Sequence, residues 1–178
     1  INEDPAANSG QTIASIVTDT SFTDADLADP TTAAENVLIT SVDNANGTWQ
    51  YALSAAPTTW AAITVTANSH LKLTSTDLVR FVPNADWNGN ATFNFRAVDS
   101  TDATAAGSTV DASTTGDPTA FSAAQATATL TINSVNDVPV FTAGTNQAIL
   151  EDAGAQTVVG FATAISKGAA NETGQILT

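Results

Sequence analysis

The side chains of this chain that could do chemistry are carboxylates and amides rather than thiols or imidazoles. The 178 residues include 18 acidic and 4 basic ones, one histidine and no cysteine, and the net charge is −14. Acids stand beside other oxygen-bearing side chains in TDAD (Thr23–Asp26) and VNDVP (Val135–Pro139). Carboxylate, amide and backbone carbonyl oxygens are the ligands of Ca²⁺. The residue types therefore favour bound Ca²⁺.

Catalytic chemistry has few candidate residues. One histidine and no cysteine cannot supply a zinc centre or a Cys–His nucleophile. His70 alternates with leucines in SHLKLTS and is predicted to be an exposed strand residue, and no G-x-S-x-G element accompanies it. Paired carboxylates for glycoside hydrolysis stay open by composition, although nothing places two of them in a cleft. We predict that the protein is not an enzyme.

The negative charge also restricts the partners. Nucleic acid and anionic membrane surfaces attract positive charge, so neither is an expected partner. No apolar run approaches the length of a membrane span, so no membrane insertion is expected. Ile1 begins no signal peptide, and the abrupt ends lead us to expect an excerpt of a longer protein. A secreted domain without disulfides needs another source of stiffness, such as bound ions.

The elements that would position the acids are predicted to be β-strands. Apolar and polar residues alternate in GTWQYAL, ATFNFRAV and TATLTIN, which is typical of antiparallel strands with one solvated face. Further strands are predicted at Ala62–Thr66, Leu71–Leu73 and Leu78–Val82, and the turn Asn44–Gly47 is predicted to close a β-hairpin. Sustained helical spacing is rare. The predicted fold class is all-β, a Greek-key β-sandwich.

An internal repeat divides the chain. INEDPAANSGQTI at the start resembles ILEDAGAQTVVGF at Ile149–Phe161, and its Ile, Glu and Asp recur in register. The prediction is a complete β-sandwich repeat at residues 1–135, an interdomain linker at 136–139, and the N-terminal part of a second repeat at 140–178. The polar stretch Ser100–Ala124 is predicted to be an extended loop inside the first repeat.

The order of motifs resembles a known family. Glu3, TDAD, AVD (Ala97–Asp99) and VNDVP are similar to cadherin-like repeats, specifically the bacterial cadherin-like or Ig-like tandem repeats of giant extracellular adhesins of the RTX-adhesin type. RFVPNADWNGNATFNFRAVDS and FATAISKGAANETGQ are similar to the same repeats. The resemblance implies a structural repeat that calcium rigidifies and that extends an adhesin or surface fibre in cell adhesion. It implies an extracellular or bacterial cell-surface location and adjacent repeats as partners. A cell-surface or polysaccharide ligand and self-association in a filament stay open.

The resemblance assigns the acids to the two ends of the sandwich. No single loop has EF-hand spacing, so ligands must converge from distant loops. At the end where the chain enters, Asp24 and Asp26 of the B–C loop would meet Asp99 at the start of the F–G loop. At the opposite end the predicted ligands are Glu3, Asp86, Asn136 and Asp137, with Glu172 of the second repeat closing the site.

Each prediction has a simpler alternative. Asp24 and Asp26 are also good turn formers, Asn136-Asp137 could form an Asx turn before Pro139, and Asp86 could cap a turn. The alternative function is a carbohydrate-binding module that stacks sugars on exposed aromatic rings. Trp60 is the ring predicted to be exposed, whereas the alternation around Trp49 predicts a core position.

Overall fold

Regular structure is almost entirely β in the computed structural model, which describes residues 1–4, 8–17, 36–99 and 101–177. The helical elements are the single turn α1 (Ile13–Ile16) and a 3₁₀ segment (Ala170–Gly174). No helix in the described ranges is long and apolar enough to cross a membrane. The strands are β1 (Gln11–Thr12), β2 (Asn36–Val42), β3 (Gly47–Ala52), β4 (Ala61–Ala62), β5 (His70–Leu73), β6 (Leu78–Pro83), β7 (Gly89–Val98), β8 (Thr109–Val110), β9 (Ala126–Ile132), β10 (Val140–Ala143) and β11 (Ala162–Ser166).

Two antiparallel sheets form the first unit, which we define as residues 1–135. One has the strand order β1-β6-β3-β4 and the other β8-β5-β2-β7-β9. The chain changes sheet from β1 to β2, from β2 to β3, from β4 to β5, from β5 to β6 and from β6 to β7, as Greek-key connections do. The predicted all-β sandwich is confirmed.

The core lies between these sheets and is centred on aromatic rings. Trp49 of β3 lies 5.2 Å from Phe81 of β6 and 4.9 Å from Phe93 of β7, measured between ring centroids. All three side chains are buried. Because side chains alternate along a strand, the period-two patterns around Trp49 and Phe93 direct these rings inward. The predicted core position of Trp49 is confirmed.

The predicted β-hairpin at Asn44–Gly47 is wrong. The turn connects β2 to β3, but these strands belong to different sheets. Asp43 Oδ1 accepts a hydrogen bond from Ala45 N at 3.0 Å, and Asn44 Oδ1 accepts one from Trp49 N at 2.8 Å. Both strands contribute buried residues to the same core from opposite sheets, so they face each other across it and do not pair edge to edge.

The stretch after β7 covers the outer face of the five-stranded sheet. Its strand β8 pairs with β5 at the edge of this sheet, and its half-buried Phe121 packs against the buried cluster of Leu38, Val98 and Ala112. This cover buries His70, so the predicted exposed position of His70 is wrong. It also shields an ion pair in which Lys72 Nζ lies 2.8 Å from Asp102 Oδ2. Strand alternation alone does not reveal that a loop covers the second face.

The second unit, residues 140–177, contains the two-stranded sheet β10-β11. The predicted linker at 136–139 falls between β9 and β10. In the internal repeat, Phe161 and Ile165 correspond to Ile13 and Val17 of the first unit. Ile13 and Val17 are 0% and 4% exposed, whereas Phe161 and Ile165 are 65% and 62% exposed. The difference follows from the packing, because two sheets enclose the first pair.

Candidate metal centre

Glu3 is buried where the N-terminal residues run beside the end of β9. Asn2 forms a parallel bridge with Asn133, and Glu3 N donates to Asn133 O at 3.0 Å. The Glu3 residue is 1% exposed, and its Oε1 accepts a hydrogen bond from Val135 N at 2.6 Å. These backbone contacts aim the carboxylate at the linker that leaves the first unit.

Asp4 and Asp137 bring two more carboxylates to Glu3. One oxygen from each of the three residues lies within 4.8 Å of the others. Asp137 is half-buried, and its Oδ2 is shielded from solvent without a hydrogen-bond partner among the described residues. Buried polar oxygens normally have a partner, so this one is free to accept a proton or bind a cation.

Asp86 approaches the same group from the turn between β6 and β7. Trp87 N donates to Asn84 O at 3.2 Å, and Asp86 adopts a positive φ of 58°, which Asp tolerates better than most residues. The Trp87 ring packs edge-on against Phe81, with 5.9 Å between centroids, and so anchors the turn to the core. The charge of Asp86 acts on Asp137.

Glu172 completes the cluster from the second unit. It lies in the 3₁₀ segment, is buried, and its Oε1 accepts a hydrogen bond from Asp137 N at 3.2 Å. Gly168 permits this approach, because a Cβ there would lie 3.0 Å from Asp137 Cβ and 3.3 Å from Glu172 Cγ. Gln175 Nε2 donates to Asn136 Oδ1 at 2.7 Å. We call the junction of the two units at the linker the seam. Its five carboxylates are the seam cluster: Glu3, Asp4, Asp86, Asp137 and Glu172.

The basic side chains of the protein are used elsewhere. Lys72 pairs with Asp102, and Lys167 donates to Thr173 O at 2.9 Å. Arg80 stacks on Trp60, and Arg96 binds backbone carbonyls after β8. All four Lys and Arg residues lie in the described ranges, and their hydrogen bonds, ion pair and ring contact are made with residues outside the seam cluster. The five carboxylates therefore lack a side-chain counter-charge.

This arrangement changes the acidity of Asp137. Burial is the largest cause and raises the pKa of its carboxyl above the usual value. Like charges raise it further, and they come from Asp86, Asp4, Glu172 and Glu3. A proton or a cation on Asp137 would relieve both effects.

The raised pKa predicts how the stability of the ion-free protein depends on pH. Between the unfolded and the raised folded pKa of Asp137, the folded chain binds more protons than the unfolded chain. The contribution of Asp137 to the free energy of unfolding therefore falls as pH rises through that window toward neutrality. We expect Asp137→Asn to remove this slope. Urea unfolding in chelator between pH 7 and about 4 measures the free energy of unfolding at each pH. The same dependence on pH in the parent and in the variant would contradict the prediction.

The structure brings together four of the seven residues that the sequence predicts as metal ligands, and Glu172, which was expected to close the site, lies with them. Glu3, Asp86, Asn136 and Asp137 lie at the seam. Asp99 lies beyond the other end of the ten-residue strand β7, where its Oδ1 accepts a hydrogen bond from Thr101 N at 2.6 Å. Asp24 and Asp26 lie outside the described residues.

Two residues at the seam are absent from the predicted ligand set. Asp4 follows Glu3 and recurs with it in the internal repeat, which was a signal for its position. Asn171 precedes Glu172 in the 3₁₀ segment, and its side-chain amide contacts Glu3. Sequence spacing offered no signal for Asn171, because 168 positions separate it from Glu3.

The tryptophan and tyrosine rings form no open platform among the described residues. Trp60, predicted to be exposed, is half-buried, and the guanidinium carbon of Arg80 lies 4.0 Å from its ring centroid. Arg80 is itself held by Gln50 Oε1 at 2.8 Å. This cation–π contact occupies one face of the ring that a sugar would need. Trp49 is in the core, and Trp87 and Tyr51 are half-buried.

Comparisons with known proteins add no identification to this geometry. No family model, curated protein or solved structure matches the chain.

Proposed function

We propose that this protein is a structural repeat whose seam binds Ca²⁺ and thereby stiffens the connection between successive β-sandwich units. The observation that carries the proposal is the seam cluster itself. Carboxylates from three separate parts of the first unit and linker meet a buried carboxylate of the second unit. No basic side chain neutralises them, and Asp137 Oδ2 has no partner among the described residues.

The donor set favours calcium over other common metals. The seam offers carboxylate and amide oxygens, with no thiolate and no imidazole, which suits a hard cation. Calcium accepts six to eight oxygens in irregular geometry, as ligands from several loops would supply. The ligands would be Glu3, Asp4, Asp86, Asp137 and Glu172, with Asn136 beside them. The ion would neutralise their charge and hold the two units in one orientation.

The wider role follows from the mechanics of such a seam. Connected domains move relative to each other unless the interface is large and apolar. A cation shared by both units restrains that motion without an extensive interface. We infer an extracellular repeat that extends an adhesin or surface fibre, where millimolar calcium would fill even a weak site of about 10⁻⁴ M. Adjacent repeats of the same polypeptide are the proposed partners, and the motif resemblance to bacterial adhesin repeats supports this setting.

Calcium titration tests the proposed function. With a dissociation constant of about 10⁻⁴ M, 1 mM Ca²⁺ stabilises the folded state by about 1.4 kcal/mol. We expect the melting temperature of the chelated protein to rise by roughly 3–6 °C. Asp137→Asn should lose most of this shift, because it removes a ligand charge at the seam.

The matched control is Asp152→Asn. Asp152 corresponds to Asp4 in the internal repeat, is exposed, and lies outside the seam cluster. This variant should respond to calcium as the parent does. A parent protein with the same melting curve in calcium and in chelator, together with no heat of binding in calorimetry, would contradict the proposed function.

A further inference from the structure

A contact that contains no ion joins the two units directly. Asn171 Nδ2 of the second unit donates to Glu3 Oε1 at 2.9 Å and to Glu3 Oε2 at 2.8 Å. Among the described residues, these are the hydrogen bonds that pass from residues 1–135 to residues 140–177 without involving the linker. Glu3 is buried, so water competes poorly for its carboxylate.

The side-chain amide of Asn171 stabilises the negative charge of Glu3. One N–H₂ group approaches both carboxylate oxygens, and this donor relieves part of the negative charge there. Asn171 Oδ1 is buried and has no partner among the described residues. The opposite orientation would place Oδ1 against the carboxylate, so Glu3 itself selects the orientation that leaves Oδ1 unpaired.

We propose that Asn171 is a positioning residue that keeps the two units docked through Glu3 when no ion is bound. The seam then has two restraints, the amide in ion-free protein and the cation in loaded protein. Losing calcium would therefore soften the connection instead of releasing the second unit completely. The calcium part of this inference rests on the proposed function, whereas the docking by Asn171 concerns the ion-free chain alone.

Distance measurements between the units in chelator test the proposal. The chain has no cysteine, so spin labels at Ala61→Cys and Thr157→Cys, both exposed, form a unique pair across the seam. We expect a narrow distance distribution in the parent and one at least twice as wide in Asn171→Ala. The control Asn146→Ala removes an exposed amide of the second unit and should leave the distribution narrow. A narrow distribution for Asn171→Ala would overturn the proposal.

A second variant separates this proposal from the calcium site. Asn171→Asp keeps the side-chain volume, removes the donor and adds a carboxylate. We expect a wide distribution in chelator that 1 mM Ca²⁺ narrows again. A narrow distribution in chelator would overturn the role of the amide. The two proposals can also fail separately. Suppose that the distance distribution of Asn171→Ala is wide, but that calcium changes neither the distribution of Asn171→Asp nor the melting curve of the parent. The docking role is then supported, and the proposed calcium function fails.

Discussion

Replacing Glu3 by alanine is expected to weaken the proposed binding of Ca²⁺ at the seam about 100-fold, which corresponds to about 2.7 kcal/mol. Glu3 is the most deeply buried acid of the seam cluster, and one of its carboxylate oxygens lies within 4.8 Å of an oxygen of Asp4 and of Asp137. Calcium affinity depends strongly on the number of charged ligands and on their rigidity. Backbone contacts with Asn133 and Val135 give Glu3 that rigidity. Isothermal titration calorimetry measures the affinity directly.

The internal repeat provides the control for this substitution. Glu151 has the same place in the second copy that Glu3 has in the first, but it is exposed. Glu151→Ala removes the same side chain and the same charge away from the seam cluster, so calcium affinity should change less than about twofold, a difference of about 0.4 kcal/mol. Equal losses of affinity in the two variants would indicate a general effect of charge and would contradict a specific site at Glu3.

Replacing Asp102 by alanine is expected to lower the free energy of unfolding of the first unit by about 3–5 kcal/mol. The Lys72 and Asp102 side chains are 4% and 12% exposed, and Lys72 Nζ also donates to Asp102 O at 2.7 Å. Burial alone would raise the pKa of Asp102, but hydrogen bonds from Lys72 and Thr104 outweigh it and hold the pKa below its usual value. Removing the carboxylate leaves the Lys72 charge buried without its partner. Urea unfolding at neutral pH measures the loss.

Two further variants distinguish a buried charge from simple loss of a loop contact. Asp111 is an exposed acid in the same covering stretch, where its Oδ1 accepts a hydrogen bond from Ser113 N at 2.9 Å. Asp111→Ala should cost less than about 1 kcal/mol. Combining Lys72→Met with Asp102→Leu should recover most of the stability lost in Asp102→Ala, because apolar replacements of a buried pair are often neutral. A double variant as unstable as Asp102→Ala would show that the charge is not the cause.

The ion pair and His70 show where sequence patterns reach their limit. Alternation correctly predicts that Trp49 and Phe93 face the core, because successive side chains along a strand point to opposite faces of the sheet. It predicts an exposed His70 on the other face, and that prediction is wrong. The stretch after β7 adds β8 beside β5 and packs Ala112 and Phe121 on the face that carries Leu38. The predicted hairpin at Asn44–Gly47 fails for a related reason. A turn motif predicts a reversal of direction, but not which sheet the next strand joins.

The seam shows the same limit for the candidate site. Motif order places Glu3, Asp86 and Asp137 at one end of the sandwich, and the structure places them there. The sequence does not predict the contact between Asn171 and Glu3, because this contact depends on how the second unit packs against the first. The B–C loop prediction for Asp24 and Asp26 falls outside the described residues and stays a prediction.

The amino-acid sequence by itself determined the strand periodicity, the excess of carboxylates without basic partners, and the recurrence of Glu-Asp at the start of each copy. These are properties of residue type and local spacing, which the chain carries in any conformation. Only the tertiary structure decided that Glu3 is buried beside Asp137 whereas its counterpart Glu151 is exposed. Burial and electrostatic interaction depend on distances across the fold. Residues far apart in the chain acquire those distances only when the sheets pack and the second unit meets the first.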